Sequence, residues 1–323
     1  MSARDATRSP RTLALDRHVA NGPRREHGLV VATYRRHCIV DVEHGGRLEC
    51  QHKGRRMTLA CGDTVTVEHH AGQGVVVDVA PRSTLLYRSD AWREKLVAAN
   101  VTQVVALVAP DVPVDEHLLN RWIVAAEAER CRFVLVVNKI DLPGSDRFLE
   151  RFAAYRALGY PVVAISALRD ATPSIPWLTG QRSVLIGQSG MGKSTLINAL
   201  AADATAPTRS ISTALRSGRH TTSSTTLHRL GPRDGEDPGW IIDSPGMTLF
   251  GLAHYDAATL EHAFVELRGL AGTCRFRDCR HDREPGCAVQ AAVHAGRVAP
   301  QRIALLRVLL DESEAAARAE NRR

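Results

Sequence analysis

The sequence predicts a multidomain protein: a small β-barrel first, a parallel α/β domain in the middle, and a helical end organised by a metal cluster. Three observations carry this. Five short Val-rich segments, each closed by a turn signal, lie between Gly28 and Val79. From Val104 onward, buried-type apolar segments alternate with helix-length stretches, the pattern of a parallel sheet covered on both faces. Beyond Leu260, three cysteines and a histidine fall close together.

Taken in order, residues 1–25 are polar, Arg-rich and aperiodic, and are expected to be a disordered basic N-terminus. Residues 26–81 hold strands at 28–34, 38–42, 47–51, 63–68 and 74–79. An OB-type barrel is the best-known five-stranded case, although the pattern alone does not separate OB from SH3-like. Residues 81–87 read as a linker. The α/β domain is assigned to 82–259, with strands at 104–108, 133–137, 162–165, 183–186 and 240–242 and helices at 115–130, 147–158 and from Lys193. The remainder, 260–323, is helical. It ends in an amphipathic segment from Gln301 with Leu305, Leu306, Leu309 and Leu310 on one face.

The net charge of +7 is unevenly spread. Residues 1–36 carry eight arginines against three acids, and residues 204–233 carry five arginines and no acid. Two acid-poor arginine segments suit a polyanionic partner such as RNA. No run of about 18 apolar residues offers a membrane span, and Met1–Pro23 has no apolar core of a secretory signal. A cytoplasmic protein is expected. Seven cysteines, an odd number, argue against a disulfide framework. Cys38, Cys50, Cys61 and Cys131 read as reduced thiols packed as small hydrophobes.

Gly187-Gln188-Ser189-Gly190-Met191-Gly192-Lys193-Ser194-Thr195 fits G-x-x-x-x-G-K-[ST], between a strand and an apolar helix. Glycines let N–H groups turn in around phosphates, and the helix N-terminus adds positive potential. Lys193 is assigned to the β- and γ-phosphates and Ser194 to Mg²⁺. Downstream, an apolar strand runs into Asp243-Ser244-Pro245-Gly246, a D-x-x-G. Asp243 is expected at Mg²⁺ and the Gly246 N–H at the γ-phosphate. Between them lies Gly218-Arg219-His220-Thr221-Thr222, a switch candidate in which Thr221 or Thr222 closes on Mg²⁺, with Thr222 preferred.

A second strand runs into Asn138-Lys139-Ile140-Asp141, an N-K-x-D. A carboxylate at Asp141 accepts from guanine N1–H and N2–H₂ together, a pair that adenine lacks. Asn138 braces the loop and contacts the base, and Lys139 stacks over it. Ser166-Ala167 follows the next strand, with a backbone N–H for guanine O6. Ordinary GTP sites run phosphate loop, switch, D-x-x-G, N-K-x-D, S-A. Here the last two come first, so chain ends are joined and a new break lies elsewhere. Many GTPases place a water-orienting Gln after D-x-x-G; Met247 occupies that position and cannot orient water. Slow intrinsic hydrolysis follows, with the missing group supplied by another loop, His220 being one catalytic candidate beside Lys193, or by a bound partner.

Cys274-x₄-Cys279-x-His281-x₅-Cys287 offers three thiolates and an imidazole, a set that favours closed tetrahedral, structural Zn²⁺. His294 is a spare ligand at worse spacing. Arg275, Arg277, Arg280 and Arg283 interleave the ligands and extend the basic surface toward RNA.

These motifs together, from about Gly28 on, make the chain resemble the circularly permuted GTPases of bacterial ribosome biogenesis that depend on the small ribosomal subunit, the RsgA type. The resemblance implies an N-terminal OB barrel, a permuted GTPase domain and a C-terminal zinc domain. It implies GTP and GDP as ligands, one structural Zn²⁺ per chain and Mg²⁺ with GTP. It also implies late maturation of the small subunit, with subunit-stimulated hydrolysis and rRNA contact. A monomer with no membrane partner is expected. Two rivals stand beside it: a GTP-gated RNA-binding factor with incidental hydrolysis, and a permuted GTPase acting on the large subunit.

Overall fold

The computed structural model describes residues 24–34, 36–44, 46–52, 57–70, 72–90, 93–201, 225–231, 237–243 and 250–320. Alternation of apolar and polar side chains builds the N-terminal barrel from β1 (Arg25–Thr33), β2 (His37–Val42), β3 (Gly46–His52), β4 (Thr64–His70) and β5 (Gln73–Val79). The strands run β1-β2-β3-β5-β4, and β1 pairs with β4 to close the ring. Only β3 and β5 among these pairs are parallel. This five-stranded, closed order resolves the barrel as OB type. Val30, Val40, Val67 and Val76 fill its interior with Cys38 and Cys50. Burial pushes the Cys38 and Cys50 thiols up to about 12 and about 11, so neither is reactive.

The stretch expected to be a linker is in part a hairpin. β6 (Leu85–Asp90) pairs antiparallel with β7 (Arg93–Ala99). Its turn-proximal residues are charged, so apolar alternation is confined to the other end, where Leu86 and Val97 are buried. That leaves too short a signal to read as strands.

The α/β sheet comprises β8 (Gln103–Val108), β9 (Arg132–Val137), β10 (Val162–Ala164), β11 (Arg182–Ile186), β12 (Thr226–Arg229) and β13 (Trp240–Asp243). Its order is β10-β9-β8-β11-β13-β12. The five strands expected from the sequence are parallel, and β12, a strand the sequence pattern does not announce, is antiparallel. All six residues of β8, the sheet's centre, are buried. On its far side β12 meets the barrel, with Ala32 opposite Thr226, so one eleven-stranded sheet runs through both units.

Helices α1 (Glu116–Ala128), α2 (Ser145–Glu150), α3 (Ala153–Ala157), α4 (Ile175–Leu178) and α5 (Lys193–Leu200) accompany this sheet. Asp115 caps α1 by accepting from the Leu118 N–H. The single helix expected at 147–158 is broken between α2 and α3. The break turns Phe152 inward, 1% exposed, against Phe148 and Tyr155 at centroid distances of 5.2 and 6.1 Å.

The C-terminal end is α6 (Ala257–His262), α7 (Ala288–His294) and α8 (Pro300–Glu320). Leu305, Leu306, Leu309 and Leu310 are all buried, as the amphipathic pattern requires. They belong to one core with Leu260, Phe264, Trp122 of α1 and the parallel strands. Two charge pairs reinforce the seam. Arg302, 4% exposed, donates to both Glu266 oxygens at 2.6 and 3.0 Å, donates to Asn120 at 3.1 Å, and lies 4.6 Å from the Phe264 ring centroid. Arg121 forks onto Glu312 at 2.9 and 2.8 Å. Removing one partner of the buried Arg302–Glu266 pair costs roughly 3–5 kcal/mol. Among the described residues no helix is long and apolar enough to cross a membrane.

Candidate nucleotide site and metal cluster

The carboxyl ends of parallel strands share one edge of the sheet, and ligands bind in the crevice outside them. Here β11 delivers the glycine-rich loop, β13 delivers Asp243, β9 delivers Asn138–Asp141 and β10 delivers Ser166-Ala167. Chain order is permuted, but spatial order is not affected.

The glycine-rich loop depends on two close approaches. Gly192 has φ +94°, and a Cβ there would lie 2.3 Å from Asn138 Nδ2. Gly187 has φ +151°, and its Cβ would lie 2.8 Å from the Leu107 carbonyl oxygen. Only glycine fits either position. The Lys193 ammonium donates to the carbonyls of Gly187 (2.7 Å) and Gln188 (3.0 Å), curled into the loop. Desolvation lowers its pKa, and Asp243 on the adjacent strand opposes that. Asp243 is raised by the same burial, partly offset by His228 and Lys193. Met191 is fully buried beneath the loop, while Ser189, Gly190, Ser194 and Thr195 are exposed at its mouth and Gln188 is half-buried.

Asn138, 1% exposed, joins three loops. Its Nδ2 donates to the Met191 carbonyl at 2.9 Å, and its Oδ1 accepts from the Ala167 N–H at 2.8 Å. These two bonds tie the loops together, and of the Ser166-Ala167 pair the Ala167 N–H is engaged by this amide. Lys139, at φ +61°, reaches back over the glycine-rich loop to the Gly190 carbonyl (2.7 Å) and to Asp111 (2.6 Å). The Ile140 N–H donates to the Ile165 carbonyl at 3.2 Å, which pins this loop to the one after β10. A hydrogen bond from Ser166 holds the Asp141 carboxyl below its ordinary pKa, aided by Arg169 at 3.6 Å and by Lys139. Asp141 is thus an ionised acceptor at neutral pH, the state that guanine reading requires.

Asp111 and Arg169 were not singled out in the sequence. Asp111 lies in the loop that leaves the buried strand β8, and its place at the same sheet edge is the available signal. Thr221, Thr222, His220, Gly246 and Met247 lie outside the described residues.

The metal-ligand candidates do converge. The ligand atoms of Cys274, Cys279, His281 and Cys287 lie within 4.8 Å of one another. The three sulfurs stand 3.6, 3.6 and 3.4 Å from His281 Nδ1, and Cys274 Sγ is 3.9 Å from Cys287 Sγ. A tetrahedron with Zn–S of about 2.3 Å and Zn–N of about 2.0 Å has edges of about 3.8 and 3.5 Å, so the donor set fits zinc. His281 Nε2 faces Glu261 at 3.5 Å, the carboxylate that commonly orients a metal-bound imidazole. Glu261 carries no sequence signal because it lies a helix away from the ligands. His294 sits in the last turn of α7 and is not one of the group. Arg280 lies at the surface, where it pairs with Asp311 (2.6 Å) and Glu314.

Comparison with known proteins matches this geometry. A family model described as RsgA GTPase matches residues 79–253. The small ribosomal subunit biogenesis GTPase RsgA of Neisseria gonorrhoeae is 45% identical over 284 residues, covering 88% of this chain and 91% of that protein. Its namesake from Burkholderia pseudomallei is 46% identical over 301 residues, covering 91% and 94%. The crystal structure of YjeQ from Thermotoga maritima superposes with a TM-score of 0.66 at 27% identity, covering 90% of this chain and 98% of that one. YloQ, a circularly permuted GTPase, has the same fold, with a TM-score of 0.64 at 23% identity, covering 91% and 96%. Matched by that family model over more than half of its length and 45% identical to a curated member over 88% of it, the chain belongs to the RsgA GTPase family.

Proposed function

We propose that this GTP hydrolase binds the small ribosomal subunit through rRNA and assists its late maturation, with hydrolysis stimulated by the subunit. The observation that carries the GTP part is Asn138, whose one amide ties the glycine-rich loop to the loop after β10. The subunit assignment draws on the names of the relatives and on the arginine-rich, acid-poor segments 1–36 and 204–233. The division into 1–25, 26–81, 82–259 and 260–323 is retained as part of this reading.

In this reading Asp141, Asn138, Lys139 and Ile140 with Ser166 and Ala167 hold the base, and residues 187–195 hold the phosphates. As phosphates enter, the Lys193 ammonium exchanges the Gly187 and Gln188 carbonyls for β- and γ-phosphate oxygens, a stronger charge-assisted pairing. Ser194, Thr222 and Asp243 would hold Mg²⁺, which when bound neutralises charge developing on the phosphates. The Gly246 N–H meets the γ-phosphate. Met247 provides no water-orienting group, so alignment of the nucleophile comes from His220 or from the subunit. Cys274, Cys279, His281 and Cys287 would hold one zinc, a structural site with no open position.

Co-sedimentation and turnover test the proposal. Small subunits should retain the protein with a non-hydrolysable GTP analogue better than with GDP. They should raise GTP turnover at least about tenfold, an effect of about 1.4 kcal/mol on the barrier, with a steep decline as salt rises. Equal stimulation by small and large subunits, or none by either, contradicts it.

A further inference from the structure

A cleft of about 570 Å³, lined in part by the metal-ligand candidates Cys274, Cys279 and His281, opens at the metal cluster, within the usual range of ligand clefts, roughly 300–1,000 Å³. Leu267, Leu270 and Val289 give it an apolar floor, and Arg275, Phe276 and Arg277 stand at its rim. Phe276 is 42% exposed and is the one aromatic among the exposed large apolar side chains of the described residues. The Arg275 guanidinium sits 5.5 Å from its ring centroid.

The charges around this ring are available. Of the arginines that interleave the metal ligands, Arg280 is taken up by α8. Arg275, Arg277 and Arg283 are exposed, and among the described residues none of them makes an ion pair. Glu261, the acid on the cleft wall, is directed at His281. An exposed aromatic ring with the Arg275 guanidinium over it, exposed Arg277 next to it in the chain and an apolar recess in the same cleft suits a splayed base next to phosphates. Bases in a duplex are stacked out of reach, whereas unpaired ones stack on aromatic and Arg faces.

We propose that this cleft takes an unpaired RNA base of the small subunit, stacked on Phe276, with Arg275 and Arg277 on the flanking phosphates. It deepens the reading above, that the chain binds small-subunit RNA, and rests on it.

Phe276→Ala should keep its zinc and its basal GTP turnover while its affinity for small subunits falls about tenfold, the scale of one lost base stack. Phe276→Tyr should restore the affinity. In Phe276→Trp, the new indole's fluorescence should be quenched by a single-stranded RNA oligonucleotide and by small subunits, but not by duplex RNA. Wild-type affinity in a zinc-loaded Phe276→Ala protein overturns the proposal. So does quenching by subunits but not by single-stranded RNA, which would assign the cleft to a ribosomal protein. If the wild-type chain does not bind small subunits at all, the preceding section's reading fails instead. The oligonucleotide then decides the cleft alone: quenching supports it and its absence overturns it.

Discussion

The barrel and the metal-binding end flank the same GTPase sheet, yet they are attached to it in different ways. The barrel has its own sealed core, centred on Val30, Val40, Val67 and Val76. It meets the sheet through a strand pairing, Ala32 opposite Thr226, and through Val31 and Cys61, which point out of the barrel into the larger core. The C-terminal end has no core of its own. Cys279, Cys287, Val289, Leu306 and Leu309 belong to the core that contains β8 and α1, and Arg302 and Arg121 clamp the same seam. A unit with its own core can fail alone, whereas one that shares a core takes its neighbour with it.

The largest effect expected from this difference is on the metal side. Cys279→Ser should lose the zinc, measurable as about one metal per chain in wild type and none in the variant. Because structural zinc supplies folding free energy directly, the loss should spread past the C-terminal helices and lower the melting of the GTPase core as well. Independent melting of the C-terminal end, with nucleotide affinity intact, would break the comparison.

A smaller and confined effect is expected in the barrel. Val40→Ala leaves a cavity in a fully buried site and should cost about 2 kcal/mol. Hydrogen exchange should quicken in residues of β1–β5 while GDP affinity stays at the wild-type value. Equal loss of protection in β8 and β9 would mean that the two units fold as one.

Some of these features are legible in the sequence and others are not, for physical reasons. The five barrel strands are legible because a closed barrel needs strict inward–outward alternation. β6–β7 and β12 are not, because charged turn ends and a four-residue length leave no period, and their pairing comes from neighbours distant in the chain. Asn138, Asp141 and Lys193 are legible because each chemistry demands a fixed local spacing. Asp111, Arg169 and Glu261 act through contacts that only the fold brings together. The permuted order was legible too, since strand-end loops meet at one edge whatever sequence joins them.

The claim on which the rest stands is that Asp141, delivered by a strand that precedes the phosphate loop, reads guanine. The direct measurement is nucleotide affinity of Asp141→Asn for GTP and for xanthosine triphosphate. Ser166 and Arg169 hold the carboxylate ionised, the form able to accept from N1–H and N2–H₂ together; an amide presents a donor where the N2 amino group needs an acceptor. GTP affinity should fall at least about tenfold, with xanthosine triphosphate gaining relative to it. Unchanged GTP affinity and selectivity would remove Asp141 from the site and contradict the account.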